Sequence, residues 1–368
     1  MKKISTTIDK KFLGLTLFLA LLGLFVFTSA SFGLFARKGF SLQDLLFGQV
    51  ILGFVLGAVV ALWLTFKFQL KSLQKYALYI FVASCISTLL VFIPHIGMEH
   101  GGAHRWIALG PISIQPSELL KLGTVIYFAA LLPIFKDRIG QIKYVLFTTG
   151  GVLLFPAIIL LTEPDTGTLA VLFFAVIAML LAAGMKIRHF FMLAGISIIM
   201  ILALAMVKPY VKERLLTFFD ASRDPQGASY QIQKSLLAIG SGQITGRGFG
   251  QSIQKFSSLP EPTGDSIFAV VGEEFGFIGG GLIIILFLLF GVRGFQIAQK
   301  APDMFSGLLA VGIVILIVSQ SFANIAAMLG LIPLTGVPLV FVSHGGTALL
   351  FAFVEIGILL NISKLSKA

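Results

Sequence analysis

Four polar groups interrupt an otherwise apolar chain, and they hold the side chains that could do chemistry. They occupy residues 102–122, 162–168, 241–277 and 330–350. In the third group, Asp265 follows the run LPEPTG and precedes a long apolar segment. A carboxylate at such a boundary can take a proton from a hydroxyl group, which is the work of a general base in group transfer. Because a charge beside an apolar span is costly, it indicates a functional site.

The first group combines an acid and a cation on one helix. Its sequence predicts a helix that begins at Pro116, with Glu118 in the first turn and Lys121 three residues later on the same face. Two interpretations stay open: a structural ion pair that neutralises itself, or the wall of a polar cavity in which Lys121 faces an anionic substrate. Arg105 and Trp106 come just before this helix, either as interfacial anchors or as substrate contacts.

Each remaining candidate also has a structural alternative. Asp165 and Asp265 both precede apolar segments, where either could cap a helix. Ser or Asn caps a helix equally well, which favours the general-base interpretation of Asp265. His344, in the run SHGG, fits either a proton shuttle or a structural residue. The candidate substrate contacts are Arg105, Trp106, Glu118, Lys121, Asp165, Arg247, Lys255, Ser343 and His344.

The composition places these residues in a membrane protein. The chain has 368 residues, of which 57% are hydrophobic and only 12% are charged, whereas soluble domains carry about 25% charged residues. Its mean hydropathy is +0.99. The net charge of +11 does not indicate nucleic-acid binding, because Lys and Arg fall mostly in short loops between apolar runs. Cys85 is the single cysteine, so no internal disulfide can form.

The elements that position the polar groups are predicted to be membrane helices. An all-α polytopic protein with ten transmembrane helices is expected, and the segments are approximately 12–34, 46–66, 76–95, 115–135, 144–162, 166–184, 189–207, 266–291, 304–328 and 338–361. With both termini in the cytoplasm, 16 of the 27 Lys and Arg residues face the cytoplasm, whereas short outer loops hold Arg37, Lys38 and Arg105. All four polar groups then lie at the outer ends of helices. Residues 1–368 form one domain with a large extracytoplasmic loop at about 208–265, between helices 7 and 8.

The four groups together resemble the signature segments of the SEDS family (shape, elongation, division and sporulation). The segments are GAHRWIALGPISIQPSELLKL, EPDTGT, GSGQITGRGFGQSIQKF with LPEPTGDSIFAVVGEEFG, and GLIPLTGVPLVFVSHGGTALL. They follow in the family's order and cover essentially the whole chain. The run GRGFGQSIQKF before LPEP resembles the division branch, FtsW, more than the elongation branch, RodA.

The resemblance implies a peptidoglycan glycosyltransferase that polymerises lipid II at the outer face of the bacterial cytoplasmic membrane. It implies that Asp265 is the essential acid and that Glu118 and Lys121 are the family's ion pair. The implied partners are lipid II, a class B penicillin-binding protein and other membrane proteins of the division or elongation complex, without nucleic acid. No cofactor is required by the motifs, although a divalent cation, Mg or Mn, is compatible with the chemistry.

Transport of the same substrate is the main rival function. A ten-helix protein with broken helices and intramembrane charges could act as a lipid II flippase. A transporter needs polar residues near the midplane of the bilayer, whereas here they cluster at one face, which favours chemistry at that face. A non-catalytic scaffold is a third class, and it would not require Asp265.

Overall fold

The computed structural model describes residues 7–35, 46–100, 103–109, 112–220, 224 and 227–365, and most of them are helical. The helices are α1 Lys10–Phe35, α2 Gly57–Phe66, α3 Leu70–Lys75, α4 Ala77–Leu89, α5 Pro116–Leu131, α6 Ile142–Thr162, α7 Thr166–Ala182, α8 Ile187–Val207, α9 Pro209–Phe219, α10 Ala228–Ser241, α11 Gln254–Ser257, α12 Ile267–Gln299, α13 Met304–Met328 and α14 Gly346–Lys364. Short 3-10 turns extend α4 through Leu90–Phe92 and α5 through Leu132–Phe135, and π-helical turns at Leu46–Leu56 lead into α2.

The prediction of a helical, multi-pass membrane protein is confirmed. Among the described residues, eight helices are long and apolar enough to cross a membrane, and two shorter apolar helices occur at Ala77–Phe92 and Thr166–Ala182. The shorter two coincide with the third and sixth predicted segments. The ten-span arrangement therefore stays a prediction. Arg37 and Lys38, which were assigned to an outer loop, lie outside the described residues.

Two predicted helix boundaries are wrong. The last helix begins at Gly346 and not at residue 338, because the Gly- and Pro-containing stretch 331–345 has no helical structure. The eighth predicted helix continues beyond residue 291 to Gln299, since the apolar run ends only near Arg293. The apolar pattern alone thus misplaced the start of the last helix and the end of the eighth.

A small antiparallel sheet near the start of α5 was not predicted. Its strands are β1 (Gly97–His100), β2 (Ala103–Leu109) and β3 (Ile112–Ile114), in the order β1-β2-β3. Trp106 pairs with Met98 across β1 and β2. Because the sheet fixes the direction of β2, it positions Arg105 beside the ends of the long helices.

The centre of the bundle is α13. It packs against α5, α7, α12 and α14, and α14 in turn packs against α2. Its buried residues are mostly apolar, and the buried polar ones are Ser306 at its start and Gln320, Ser321 and Asn324 near its end. The last three lie near the end of α13 that approaches Asp265, so most of the buried polar side chains of this helix are gathered at that end.

A break in α12 makes room for residues 242–266, the approach loop, to enter the bundle. At Gly276, φ is 62°, a left-handed value that favours glycine, and an added Cβ would meet the amide nitrogen of Gly246 at 2.4 Å. The backbone around this break bonds to the loop, with Phe277 N donating to Gln243 O at 2.8 Å and Arg247 N donating to Glu273 O at 3.0 Å. The loop thereby supplies partners for the broken helix, as backbone at membrane depth requires.

Candidate active site

Asp265 lies in a turn immediately before α12. The residue that precedes the first helical residue is Ser266, and within the described chain the carboxylate of Asp265 accepts no hydrogen bond. The prediction that Asp265 caps this helix is therefore wrong. Its backbone carbonyl accepts a hydrogen bond of 2.8 Å from Nδ2 of Asn324 on α13. The backbone is thus held in place while the carboxylate is left open.

The turn that carries Asp265 is tied to the non-helical stretch before α14. The hydroxyl of Ser343 donates to the Gly264 carbonyl at 2.8 Å and accepts from the Leu339 amide at 2.8 Å. The amide of His344 donates to the Thr263 carbonyl at 2.6 Å. The imidazole of His344 is exposed and stacks on Phe27, with ring centroids 5.8 Å apart. Ser343 and the His344 backbone therefore fix the geometry of the turn.

Arg105 faces the same space as Asp265. Its Nε donates to the Glu163 carbonyl at 3.1 Å, and its Nη2 donates to the Pro164 carbonyl. A Cβ placed on Gly336 would lie 3.8 Å from Oδ2 of Asp265 and 3.9 Å from Nη1 of Arg105. The carboxylate and the guanidinium group thus face one space beside Gly336. This space stays open because glycine has no side chain.

The surroundings of Asp265 shift the pKa of its carboxylate towards neutral pH. Burial and the Glu261 carboxylate raise the pKa of Asp265 to about 6, against the lowering effect of the Arg105 and Arg214 guanidinium groups. A base with a pKa close to neutral is ionised at working pH and still takes up a proton readily. Both properties suit a carboxylate that removes a proton from a hydroxyl group.

Asp165 and Glu163 occupy the turn between α6 and α7. Asp165 caps α7, because its carboxylate accepts from the amide of Thr168 at 3.1 Å and from its hydroxyl at 2.8 Å. The capping alternative for Asp165 is therefore confirmed. Glu163 is 1% exposed, and neither of its carboxylate oxygens has a hydrogen-bond partner among the described residues. Burial and the Asp165 carboxylate raise the pKa of Glu163 to about 8.

Two residues of α9 join this site and were missed from the sequence. Nη1 of Arg214 donates to the Thr166 hydroxyl at 3.0 Å, and the charge of Arg214 acts on Asp265. The buried hydroxyl of Tyr210 has no partner in the described chain. Their separation of four residues, which puts both side chains on one helix face, was the available signal.

Glu118 and Lys121 form the predicted ion pair. Nζ of Lys121 lies 2.9 Å from Oε1 of Glu118, and both side chains are buried in α5. Nζ also donates to the side-chain carbonyl of Gln320, whose amide nitrogen donates to the Pro338 carbonyl at 3.1 Å. The pair lines a small cavity together with Glu355, a buried acid of α14 that the sequence interpretation did not single out.

The ion pair and Asp265 share the stretch before α14. Residues 331–345 contact Lys121 through Gln320 and contact the Asp265 turn through Ser343. The structure therefore connects the two groups without giving them a direct contact.

Glu355 could have been found from the sequence, because it is an acid within the apolar run AFVEIGILL.

Lys255 and Arg247 bind acids of α12. The fully buried ammonium of Lys255 contacts Oε1 of Glu274 at 2.5 Å and donates to the backbone and hydroxyl oxygens of Ser29 at 3.0 Å each. Nε of Arg247 lies 3.6 Å from Oε1 of Glu273. These contacts tie the approach loop to α1 and α12.

Glu273 and Glu274 of α12 are both buried, so both of these adjacent acids face the protein interior. Glu273 also accepts from the Ser252 hydroxyl at 2.6 Å and from the Ile253 amide at 3.0 Å. In the part of the chain that the structure describes, no group of three or more His, Cys, Asp or Glu residues is arranged to hold a metal ion.

Comparison with known proteins identifies close relatives over the whole length. The family model of the FtsW, RodA and SpoVE cell cycle proteins matches residues 10–368. The stage V sporulation protein E of Bacillus subtilis is 36% identical over 353 residues, which cover 96% of either chain. The probable peptidoglycan glycosyltransferase FtsW of Escherichia coli is 36% identical over 371 residues, which cover 98% of this chain and 87% of the relative.

Solved structures share the fold. A chain of a peptidoglycan synthase complex, described for its structural coordination of polymerization and crosslinking, superposes with a TM-score of 0.75 at 27% identity and 97% coverage of both chains. The rod shape determining protein RodA of Thermus thermophilus gives a TM-score of 0.70 at 25% identity, with 97% of this chain and 96% of that chain covered.

Proposed function

Because the chain belongs to the FtsW/RodA/SpoVE family, the SEDS family, we propose that it is a peptidoglycan glycosyltransferase in which Asp265 is the general base. Its substrate is lipid II, and its product is a glycan strand. The open carboxylate of Asp265, which faces Arg105 beside Gly336, is the observation that carries the catalytic assignment.

Asp265 acts on the acceptor sugar. Its carboxylate removes the proton from the attacking hydroxyl while the hydroxyl oxygen forms a bond to the anomeric carbon of the donor. The bond between that carbon and the undecaprenyl pyrophosphate breaks, and the pyrophosphate leaves with the electron pair. The proton ends on Asp265 and is returned to solvent before the next cycle.

Arg105 and Arg214 stabilise the leaving pyrophosphate. Arg105 is anchored by two backbone carbonyls, and Arg214 is anchored by the Thr166 hydroxyl, so both guanidinium groups are held before substrate arrives. Preorganised cations stabilise developing negative charge at little cost in reorganisation. Trp106 and His344 border the same end of the bundle and contact the sugar or the peptide of lipid II.

The other charged candidates act mainly by positioning the backbone segments that form the site. Glu118 and Lys121 brace the stretch before α14 through Gln320, while Lys255 and Arg247 brace the approach loop. Asp165 fixes the turn between α6 and α7, and Ser343 fixes the turn that carries Asp265.

The proposed topology has ten membrane spans and cytoplasmic termini, with Asp265 at the outer face of the bacterial cytoplasmic membrane. The excess of Lys and Arg in the predicted cytoplasmic loops supports this orientation. The relatives named FtsW and SpoVE support a role of the division type. The proposed partner is a class B penicillin-binding protein that crosslinks the glycan, because a structural neighbour belongs to a peptidoglycan synthase complex.

Polymerisation of labelled lipid II by purified protein tests the assignment. We expect glycan polymer from the wild type, with the penicillin-binding partner added if needed, and a loss of at least roughly 100-fold for Asp265→Asn. Asp303→Asn is the matched control, because Asp303 caps α13 at the other end of the bundle and Asn caps equally well.

Two outcomes would overturn the proposal. If the folded Asp265→Asn variant polymerises lipid II at the wild-type rate, Asp265 is not the catalytic base. Movement of lipid II between the leaflets of liposomes, without polymer from any variant, would instead support the flippase.

A further inference from the structure

A groove opens at the end of the bundle opposite Asp265. It has a volume of about 670 Å³ and lies between the start of α13, the end of α14, and the segment from the end of α2 to α3. Both α13 and α14 have their other ends beside the Asp265 turn. The groove is therefore separate from the candidate active site.

The walls of the groove are largely apolar. They include the side chains of Phe68, Leu70, Pro133, Met304 and Phe305. The apolar spans of α2, α13 and α14 end at this level, which is where lipid headgroups meet acyl chains. An amphiphile can therefore enter with its chains along the bundle and its headgroup at the groove.

The polar side of the groove is basic. Lys71, Gln69 and Gln74 line it, and their side chains have no hydrogen-bond partner in the described part of the chain. Lys364 also lines the groove, with Nζ 5.6 Å from the centre of the Phe66 ring. Two ammonium groups and two amides are thus available to an anion.

Within the described residues, Asp303 is the one acid that lines the groove. Its two carboxylate oxygens accept from the amide and hydroxyl of Ser306, at 2.9 and 3.1 Å, so its charge stabilises the start of α13. The cations of the groove are therefore not paired with this acid.

Hydrogen bonds between segments hold the backbone around the groove in place. Nδ2 of Asn361 donates to the carbonyls of Leu64 and Phe68, at 2.6 and 2.9 Å, and so joins the end of α2 to α14. The hydroxyl of Ser363 accepts from the Asp9 amide at 3.1 Å, which fixes the N-terminal segment to the same helix. The shape of the groove therefore depends on the fold and not on a ligand.

We infer that this groove binds the headgroup of an anionic phospholipid, with the phosphate between Lys71 and Lys364 and the glycerol and upper acyl chains along the apolar wall. The volume lies within the range of about 300–1,000 Å³ that small-molecule sites occupy. Basic residues at the membrane surface attract anionic lipids. A zwitterionic lipid of the same size brings no net charge to the two lysines and binds more weakly.

Native mass spectrometry of the full chain tests this inference with phosphatidylglycerol and phosphatidylcholine of identical acyl chains. For the wild type we expect preferential retention of phosphatidylglycerol. The double variant Lys71→Gln/Lys364→Gln is expected to weaken this retention by on the order of tenfold. Lys136→Gln/Lys143→Gln is the control, because it removes two exposed lysines that do not line the groove, and it should retain the lipid to within about twofold of the wild type.

A second variant tests the groove itself. Gln74→Trp fills the space without changing charge, and it should also reduce the retention of phosphatidylglycerol while the melting temperature in phosphatidylcholine stays that of the wild type. The inference is overturned if the lysine variant matches its control, or if Gln74→Trp retains the lipid fully. Displacement of the lipid by soluble glycerol phosphate would also overturn it, because the site would then bind a free anion.

Discussion

Asp265 and Lys255 both lie in the segment 242–266 between α10 and α12, and they use charge in contrasting ways. The ammonium of Lys255 is fully buried and contacts Glu274 and Ser29 within the protein. The carboxylate of Asp265 accepts no hydrogen bond from the described residues, although two arginines and Glu261 act on it. One charge is fully compensated, whereas the other is left open.

This difference separates structural charges from chemical ones in a membrane protein. A buried ion that has its partners contributes little net free energy to folding, but it specifies which surfaces of the protein meet. A carboxylate that is partly buried and lacks donors is costly to keep, and it gains its partners only when substrate binds. The sequence marks both kinds of charge equally, and only the contacts distinguish them.

The largest expected effect comes from breaking the compensated pair. Lys255→Met leaves Glu274 buried without its cation and should destabilise the protein by about 3–5 kcal/mol. Thermal unfolding of the purified protein in detergent measures this loss. The double variant Lys255→Met/Glu274→Leu should recover most of the stability, because no unpaired charge remains. A single variant that melts with the wild type would show that the pair does not hold the loop.

Removal of Arg105 tests the role of the charges around the open carboxylate of Asp265. Arg105→Gln should lower polymerisation by roughly 100-fold while the protein stays folded, because it removes a preorganised cation from the site. Loss of that positive charge also raises the pKa of Asp265, so the pH at which activity is half-maximal should increase. Arg138→Gln, at an exposed arginine outside the site, is the control. Activity of Arg105→Gln within about twofold of that control would contradict the assignment.

A smaller effect is expected from Glu163, a buried acid whose carboxylate has no hydrogen-bond partner among the residues that the structure describes. Its pKa is raised to about 8 in the folded protein, so the folded state keeps a proton that the unfolded chain loses near its ordinary pKa. Stability should therefore decrease as pH rises from about 4.5 to 8. Glu163→Gln removes this dependence and should raise the melting temperature at pH 8 by roughly 2–4 °C, with little change at pH 4.5.

The control for Glu163 is the same substitution at an exposed glutamate of α9, Glu213→Gln. It should leave the pH dependence of the melting temperature unchanged. If the two variants show the same pH dependence, Glu163 does not carry the proton.

The sequence predicted the helical fold well, because length and hydropathy mark membrane spans directly. Met304–Met328 coincides with its predicted segment, since apolar residues fill it from end to end. The start of the last helix was misplaced by eight residues, at Gly346 instead of 338. Residues 331–345 are apolar enough to resemble a helix, whereas their backbone bonds to the Asp265 turn.

The sequence singled out some of the acids at the site and missed two others, Glu163 and Glu355, together with part of the surroundings. Asp265 and the Glu118–Lys121 pair could be found because charges next to apolar runs are conspicuous. Tyr210 and Arg214 were missed although their four-residue spacing puts both on one helix face, because an amphipathic helix also fits a position at the membrane interface. The contacts of Lys255 depend on Ser29, more than 200 residues away in the chain, and no local pattern encodes such a contact.

The dependence of polymerisation on pH tests the central claim most directly. If Asp265 is the base, the rate of the wild type should rise about tenfold per pH unit below pH 6 and level off above it, because only the ionised carboxylate accepts the proton. Asp265→Asn should lose this rise together with at least roughly 100-fold of the rate. A rise with the same midpoint in Asp265→Asn, or polymerisation at the wild-type rate, would contradict the role of Asp265.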